Sequence, residues 1–406
     1  MQTSKVNFLL LPAFAMSVGW GLRGFIGGGP LGAMIPGALV ALTLCILLGR
    51  KGSDAGVVAA FGAVGVGLGG QETYGQTIGL SFAPETQVWG VAGLALKGMV
   101  WGLAGGAILA VGLQIRQWLR RDIVIALAGL VGATHLGWKL VNEPKLIYFS
   151  NLYDRPRAEL WAGLLLGGVA FLALLLTRGN ARIPLSFGIY GAVGGFVGFG
   201  LGGWIQVIGR ASGLESGVGW WKVMEFTFGF LFGLALGACA YRWRDTLSAP
   251  VPEDAESLSW VAAVTGMAAA LALYPFYAGF ELRWNYTLVG ALLLCLVLGW
   301  PRIAWQVGVT FTFAAFAYDL VKAKTYLPWA LVLVTTAIVA WLAARPLSVN
   351  AKTLLLLWTA IAVAGAKLYL PKEADAFHAI TLQGTFVAMA MIVTALMRPR
   401  FSILRD

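Results

Sequence analysis

The sequence predicts an all-α, polytopic integral membrane protein with about 14 transmembrane helices (range about 12–14). Three observations carry that prediction. Of the 406 residues, 59% are hydrophobic and only 12% charged, with a mean hydropathy of +0.79; a soluble domain carries about 25% charged residues. Apolar runs of roughly 18–22 residues recur along the whole chain, each long enough to cross a hydrocarbon core of about 30 Å. The alternating segments of about 10 residues that a transmembrane β-barrel needs are missing.

Taken in order, the runs fall near 7–23, 30–49, 56–72, 90–113, 123–140, 159–177, 185–208, 219–241, 258–279, 285–300, 303–321, 327–344, 353–369 and 377–397, of which 30–49 or 285–300 could be tilted or half-spans. The first, MQTSKVNFLLLPAFAMSVGW, has one lysine and no small-x-small cleavage site after it, so it reads as a retained helix rather than a removed signal peptide. It runs into GWGLRGFIGGGPLGAMIPGA (19–38), in which eight of twenty residues are glycine. Its first six letters fit the G-x-G-x-x-G dinucleotide fingerprint. That motif needs a strand before it and an acid about 20 residues on. Here an apolar helix precedes it and 39–49 hold no acid. The stretch reads instead as a helical hairpin. Gly19, Gly21 and Gly24 let the first helix pack closely or unwind, Gly27 to Gly29 turn, Pro30 starts the second helix, and Pro36 predicts a kink inside it.

The net charge of +11 would suggest nucleic acid in a soluble protein. The distribution assigns it to the bilayer surface, and no nucleic-acid partner is expected. Alternate connections hold Lys5, Arg50, Lys51, Arg116, Arg120, Arg121, Arg178, Arg182, Arg242, Arg244, Arg302, Arg345, Lys352, Arg398, Arg400 and Arg405, which is 16 of the 29 basic residues. The positive-inside rule then places both termini in the cytoplasm, as in a bacterial inner membrane. The other connections mix signs and face outward. They include Glu72, Glu85, Glu143, Asp154, Arg155, Arg157, Glu215, Glu281 and Asp375.

TLSAPVPEDAES (246–257) reads as a cytoplasmic linker between an eight-helix, glycine-rich region (1–245) and a six-helix region (258–406). Within the first, Phe61-Gly62-Ala63-Val64-Gly65 with Gly67-Leu68-Gly69-Gly70 recurs as Tyr190-Gly191-Ala192-Val193-Gly194 with Gly200-Leu201-Gly202-Gly203. Gly102 and Gly106 likewise match Gly229 and Gly233. This predicts a parallel four-helix internal repeat, about 7–113 and about 123–241. The glycines themselves, 54 in all, are spaced for close helix packing in lipid, or for unwound backbone at a solute site.

No P-loop, H-E-x-x-H or G-x-S-x-G occurs, and no cofactor is expected. Cys45, Cys239 and Cys295 sit in apolar runs without pairing or ligand spacing, and read as small core residues. His135 and His378 lack a Cys, His or acid one turn away, so no metal site is expected. Ionisable side chains at membrane depth are the stronger functional signal. Lys97 and Glu225 lie at similar depth in the two repeat copies. They could meet as an ion pair, bind one solute together, or merely fix helix register, with Lys97 alternatively snorkelling outward. His135 and Lys139 share a helix face, with Trp138 and Asn142 close by. Glu72, Gln206 and Arg210 follow the two Gly-Leu-Gly-Gly stretches at the outward ends, and Arg23 lies within the glycine-rich turn of the first hairpin. The expected substrate-binding set is therefore Arg23, Glu72, Lys97, His135, Lys139, Gln206, Arg210 and Glu225.

Cations outnumber acids in that set. The sequence therefore points to a secondary transporter or carrier for a small anionic or polyhydroxylated solute, ion-coupled or facilitated, with Glu72, Glu225 or Asp319 as candidate couplers. The competing reading is a membrane-embedded transferase for a lipid-linked or carrier-linked donor at the outer face. Glu72 with His135, or Asp154 with Glu159, would supply its acid–base groups.

Overall fold

The computed structural model describes residues 4–25, 28–151, 156–213, 219–248, 282–320, 326–369 and 376–397. The side chains of 25, 282–284, 318–320, 326–329, 366–369 and 376–379 are not among those described. Most of the linker, the 258–279 run, Asp154, Arg155, Glu215, Glu281 and Asp375, and the side chains of Asp319 and His378, therefore lie outside the described residues. Among those described, the protein is all-helical with no β-strand, and eight helices are long and apolar enough to cross a membrane.

The helices of the first region are α1 (Lys5–Phe25), α2 (Gly29–Leu48), α3 (Gly52–Gly69), the short α4 (Gly75–Leu80), α5 (Gln87–Leu113), α6 (Arg120–Gly137), α7 (Trp161–Leu176), α8 (Arg182–Ala211) and α9 (Trp220–Arg242). Six of them close a ring. α1 packs on α2, α2 on α3, α3 on α5, α5 on α8, α8 on α9, and α9 back on α1. Glycine decides how close these neighbours come. A Cβ at Gly98, Gly102 or Gly106 of α5 would collide with the carbonyl oxygens of Gly195, Gly191 or Phe187 of α8. The same is true where Gly229, Gly233 and Gly237 of α9 cross Met16, Pro12 and Phe8 of α1. In each pair the residue numbers run in opposite directions, so neighbours are antiparallel. Small residues here replace the hydrophobic drive that lipid removes.

The α1–α2 turn needs its glycines, since Gly28 and Gly29 have φ of 81° and 90°. Pro30 follows in the first turn of α2, and α2 runs unbroken past Pro36, which packs against Gly19 of α1. α2 is apolar on all sides and its core window is wholly buried inside the protein, as a helix without a polar face must be. The α6–α7 hairpin stands outside the ring, with α7 against α5.

The C-terminal region adds α10 (Leu282–Gly299), α11 (Thr312–Leu320), α12 (Tyr326–Ala343), α13 (Val349–Tyr369) and α14 (Ala376–Met397). α10 packs on α3, α11 and α13 on α2, and α14 on α1. The runs at 285–300 and 303–321 are not two straight spans: Asn285–Gly299 and Pro301–Ala317 bend by 118° at their junction. Pro301 has no N–H to continue the helix, and a π-helical stretch, Gln306–Phe311, follows it.

The basic end of the bundle is neutralised in part by its own acids. Asp54, at the start of α3, accepts from Arg50 (3.3 Å) and Arg116 (2.9 Å), and Asp122 of α6 accepts from Arg178 (3.2 Å). The other end holds the candidate site.

Candidate functional site

Two buried charge clusters occupy the end of the bundle opposite the basic one. The first joins α1, α9 and the α3–α4 connection. Arg23, in the last turn of α1, is buried with its guanidinium carbon 4.8 Å from the Trp101 ring, 5.2 Å from Tyr74 and 5.4 Å from Trp20. Its Nη1 donates to the Tyr74 hydroxyl (2.8 Å), which in turn donates to Glu225 Oε1 (3.0 Å). Glu225, fully buried in the second turn of α9, also accepts from Trp221 Nε1 (2.8 Å) and Lys222 Nζ (2.8 Å). Spacings of four and three residues put these donors on one face of α9. Lys222 Nζ donates as well to the carbonyl of Gly21 (3.2 Å).

The local sequence makes room for this arrangement. A Cβ on Gly24 would collide with the Glu225 carboxylate, and one on Gly28 would lie 3.2 Å from Arg23 Nη2. The carboxylate and the guanidinium thus rest directly on glycine backbone. Gly69 gives space to the Trp101 ring, whose Nε1 donates to the carbonyl of Val66 (2.6 Å). Burial raises the Tyr74 phenol above its ordinary pKa, against the opposing pull of Arg23, so it remains a protonated donor.

Below Arg23 the ring is filled by aromatic side chains. Trp20 meets Trp101 (4.7 Å between centroids) and Phe228 (4.3 Å), and Phe199 stacks on Phe228 (3.8 Å). These rings close the cluster on its inner side, and Arg23 and Glu225 are themselves buried. Arg23 Nε and Trp20 Nε1 are buried donors without a hydrogen-bond partner. Of the three charged groups Arg23, Lys222 and Glu225, two are cations.

The second cluster surrounds Lys97, which is fully buried in α5. Its Nζ donates to Glu159 Oε1 (2.7 Å), the Thr73 carbonyl (2.8 Å) and Thr77 Oγ1 (2.9 Å), which uses all three of its protons. Glu159 also accepts from Ser150 Oγ (2.9 Å) and the Phe149 N–H (3.1 Å). This pair ties Phe149, Ser150 and Glu159 to α5. The expected meeting of Lys97 with Glu225 is thus corrected: Lys97 pairs with Glu159, while Glu225 is engaged by groups on its own helix and by Tyr74.

The remaining expected residues scatter. Lys139 is exposed and holds Glu143 through both carboxylate oxygens (2.8 Å each). His135 is exposed beside Trp138, at 5.7 Å between ring centroids. Arg210 is exposed over the Phe82 ring (4.5 Å), Gln206 is buried on α8, and Glu72 is buried two residues before Tyr74. Lys222 and Trp221 were not singled out from the sequence. The spacing Trp221-x-x-x-Glu225, with Lys222 between them at the head of α9, is the signal that identifies them. No group of three or more metal-ligating side chains occurs among the described residues. No family model, no curated protein and no solved structure matches the chain.

Proposed function

We propose that the protein is a secondary carrier for a small anion, with Arg23 and Lys222 as the binding cations and Glu225 as a proton-accepting counter-charge. One observation carries this reading. The Glu225 carboxylate, fully buried, sits among an ammonium, an indole N–H and a phenol that together form a ready anion site. An incoming monoanion takes the place of that carboxylate as Glu225 gains a proton. The summed charge of the three groups and the anion is then unchanged, so entry avoids adding net charge to a buried site. Glycine-lined contacts between α5 and α8, and between α1 and α9, supply interfaces along which helices can shift to open the aromatic seal.

In this reading the chain lies in a bacterial cytoplasmic membrane with both termini inside. Three shorter apolar helices and the 258–279 run bring the eight spans to 12, with the bent pair as a re-entrant loop, or to 14 if that pair crosses twice; either even count returns both termini to one side. Helices 7–113 and 123–241 would be a duplicated unit, supported by matching glycine strips on α5 and α9. The linker at 246–257 would separate this region from the C-terminal helices. The transferase reading is weaker because Glu159, one of its acid–base candidates, is committed to Lys97, Ser150 and the Phe149 backbone.

Uptake by proteoliposomes of radiolabelled phosphate, sulfate and lactate tests the proposal. At least one probe should enter faster than into protein-free vesicles, and Arg23→Gln should abolish that entry. Full uptake by a folded Arg23→Gln protein, or no entry of any probe, would overturn it.

A further inference from the structure

A cavity of about 480 Å³ lies outside the ring, and none of the central cluster's residues line it. It opens between the end of α6 and the start of α10, roofed by Ala158 and Leu160. Its volume falls in the range of small-molecule sites, about 300–1,000 Å³. The polarity of its lining is graded. His135 and Asn285 stand toward the polar-loop end, Thr134 and Thr287 next, and Val131 and Leu288 toward the middle of the bundle. Thr134 is buried, with its hydroxyl against Gly167 of α7. α6 passes directly into a π-helical turn, Trp138–Asn142, a distortion common at functional sites.

The walls are preformed. Thr287 exchanges two hydrogen bonds with Gln71, at 2.8 and 3.2 Å, and the Ala158 carbonyl accepts from Thr73 Oγ1 (3.1 Å). The inner lip continues into an apolar strip. Leu288, Leu292 and Leu296 recur every four residues on α10 and are each about half exposed (47%, 59% and 49%). Exposed leucines on the outside of a membrane bundle face lipid, and Leu288 belongs both to this strip and to the cavity wall.

We infer that this cavity is a binding site for one phospholipid of the leaflet at the polar-loop end. One acyl chain follows the Leu288–Leu292–Leu296 strip into the pocket, and the ester and headgroup region meets Thr134, His135 and Asn285. The graded lining and the open apolar lip fit an amphipath with a long chain. A compact polar solute would leave Val131, Leu160 and Leu288 unmatched.

The test uses the full chain reconstituted in phosphatidylcholine vesicles containing a phosphatidylcholine with a diazirine in one acyl chain. Cross-linked peptides are mapped by mass spectrometry. Adducts should concentrate on the segments holding Val131–Trp138 and Asn285–Leu288. Their yield should saturate as the photolipid fraction rises. Ala158→Trp, on the exposed roof, should cut that yield at least about tenfold, whereas Ile338→Trp, on the exposed surface of α12, should not. Adducts that rise in proportion to photolipid at these segments, as at any lipid-facing helix, would overturn the proposal in the unmodified protein alone. So would an unchanged cavity yield in Ala158→Trp that melts like wild type.

Discussion

Lys97 and Glu225 lie at similar depth in glycine-rich helices, are equally buried, and both carry charge, yet their surroundings differ in kind. Lys97 has three protons and three acceptors, one of them a carboxylate that is itself saturated. Glu225 faces Lys222 and, through Tyr74, Arg23, while Arg23 keeps an unmatched Nε donor. Burial alone therefore does not mark a functional charge. Whether the donors and acceptors around it balance is what separates a staple from a site.

The contrast is broken most severely at the staple. Lys97→Met leaves the Glu159 carboxylate buried without its cation, and should cost about 3–5 kcal/mol. Thermal unfolding in detergent measures this, and adding Glu159→Gln should recover much of the loss. A Lys97→Met protein of wild-type stability that has lost transport would reverse the two assignments. At the central cluster, Gly24→Ala puts a methyl group where the Glu225 carboxylate lies. Anion uptake should fall at least about tenfold, with the melting temperature little changed beside that of Lys97→Met. Tyr74→Phe removes only the bridge between Arg23 and Glu225. A hydrogen bond between charged partners is worth about 1.5–3 kcal/mol, so KM for the anion should rise by at least about tenfold. The smallest effect belongs to Lys139→Ala. Its pair with Glu143 is about half exposed and worth under about 1 kcal/mol, so neither stability nor uptake should move measurably.

Much of this architecture was legible because hydropathy and glycine spacing are local signals. The helical hairpin around 19–38 and the close-packing glycines of α5 and α9 follow from residues near each other in sequence, whereas the burial of Arg23 among Trp20, Tyr74 and Trp101 does not. What escaped depends on long-range closure. Glu159 reaches Lys97 from 62 residues away, and Tyr74 meets Glu225 from 151. α1 completes the ring against α9 rather than against a helix nearby in sequence. Hydropathy also reads the runs on either side of Pro301 as two spans, because it senses apolar length and not the 118° bend between them. The part played by Lys222 appears only when Glu225 is seen one helical turn below it.

The central claim is that Glu225 carries the coupling proton and that Arg23 and Lys222 bind the anion. Counterflow exchange and pH-driven accumulation of the transported probe, measured side by side in proteoliposomes of Glu225→Gln, test it most directly. The amide is neutral, as protonated Glu225 would be. Exchange should therefore persist near the wild-type rate while accumulation against a gradient is lost. Loss of both in a folded protein, or wild-type accumulation in the variant, would contradict the account.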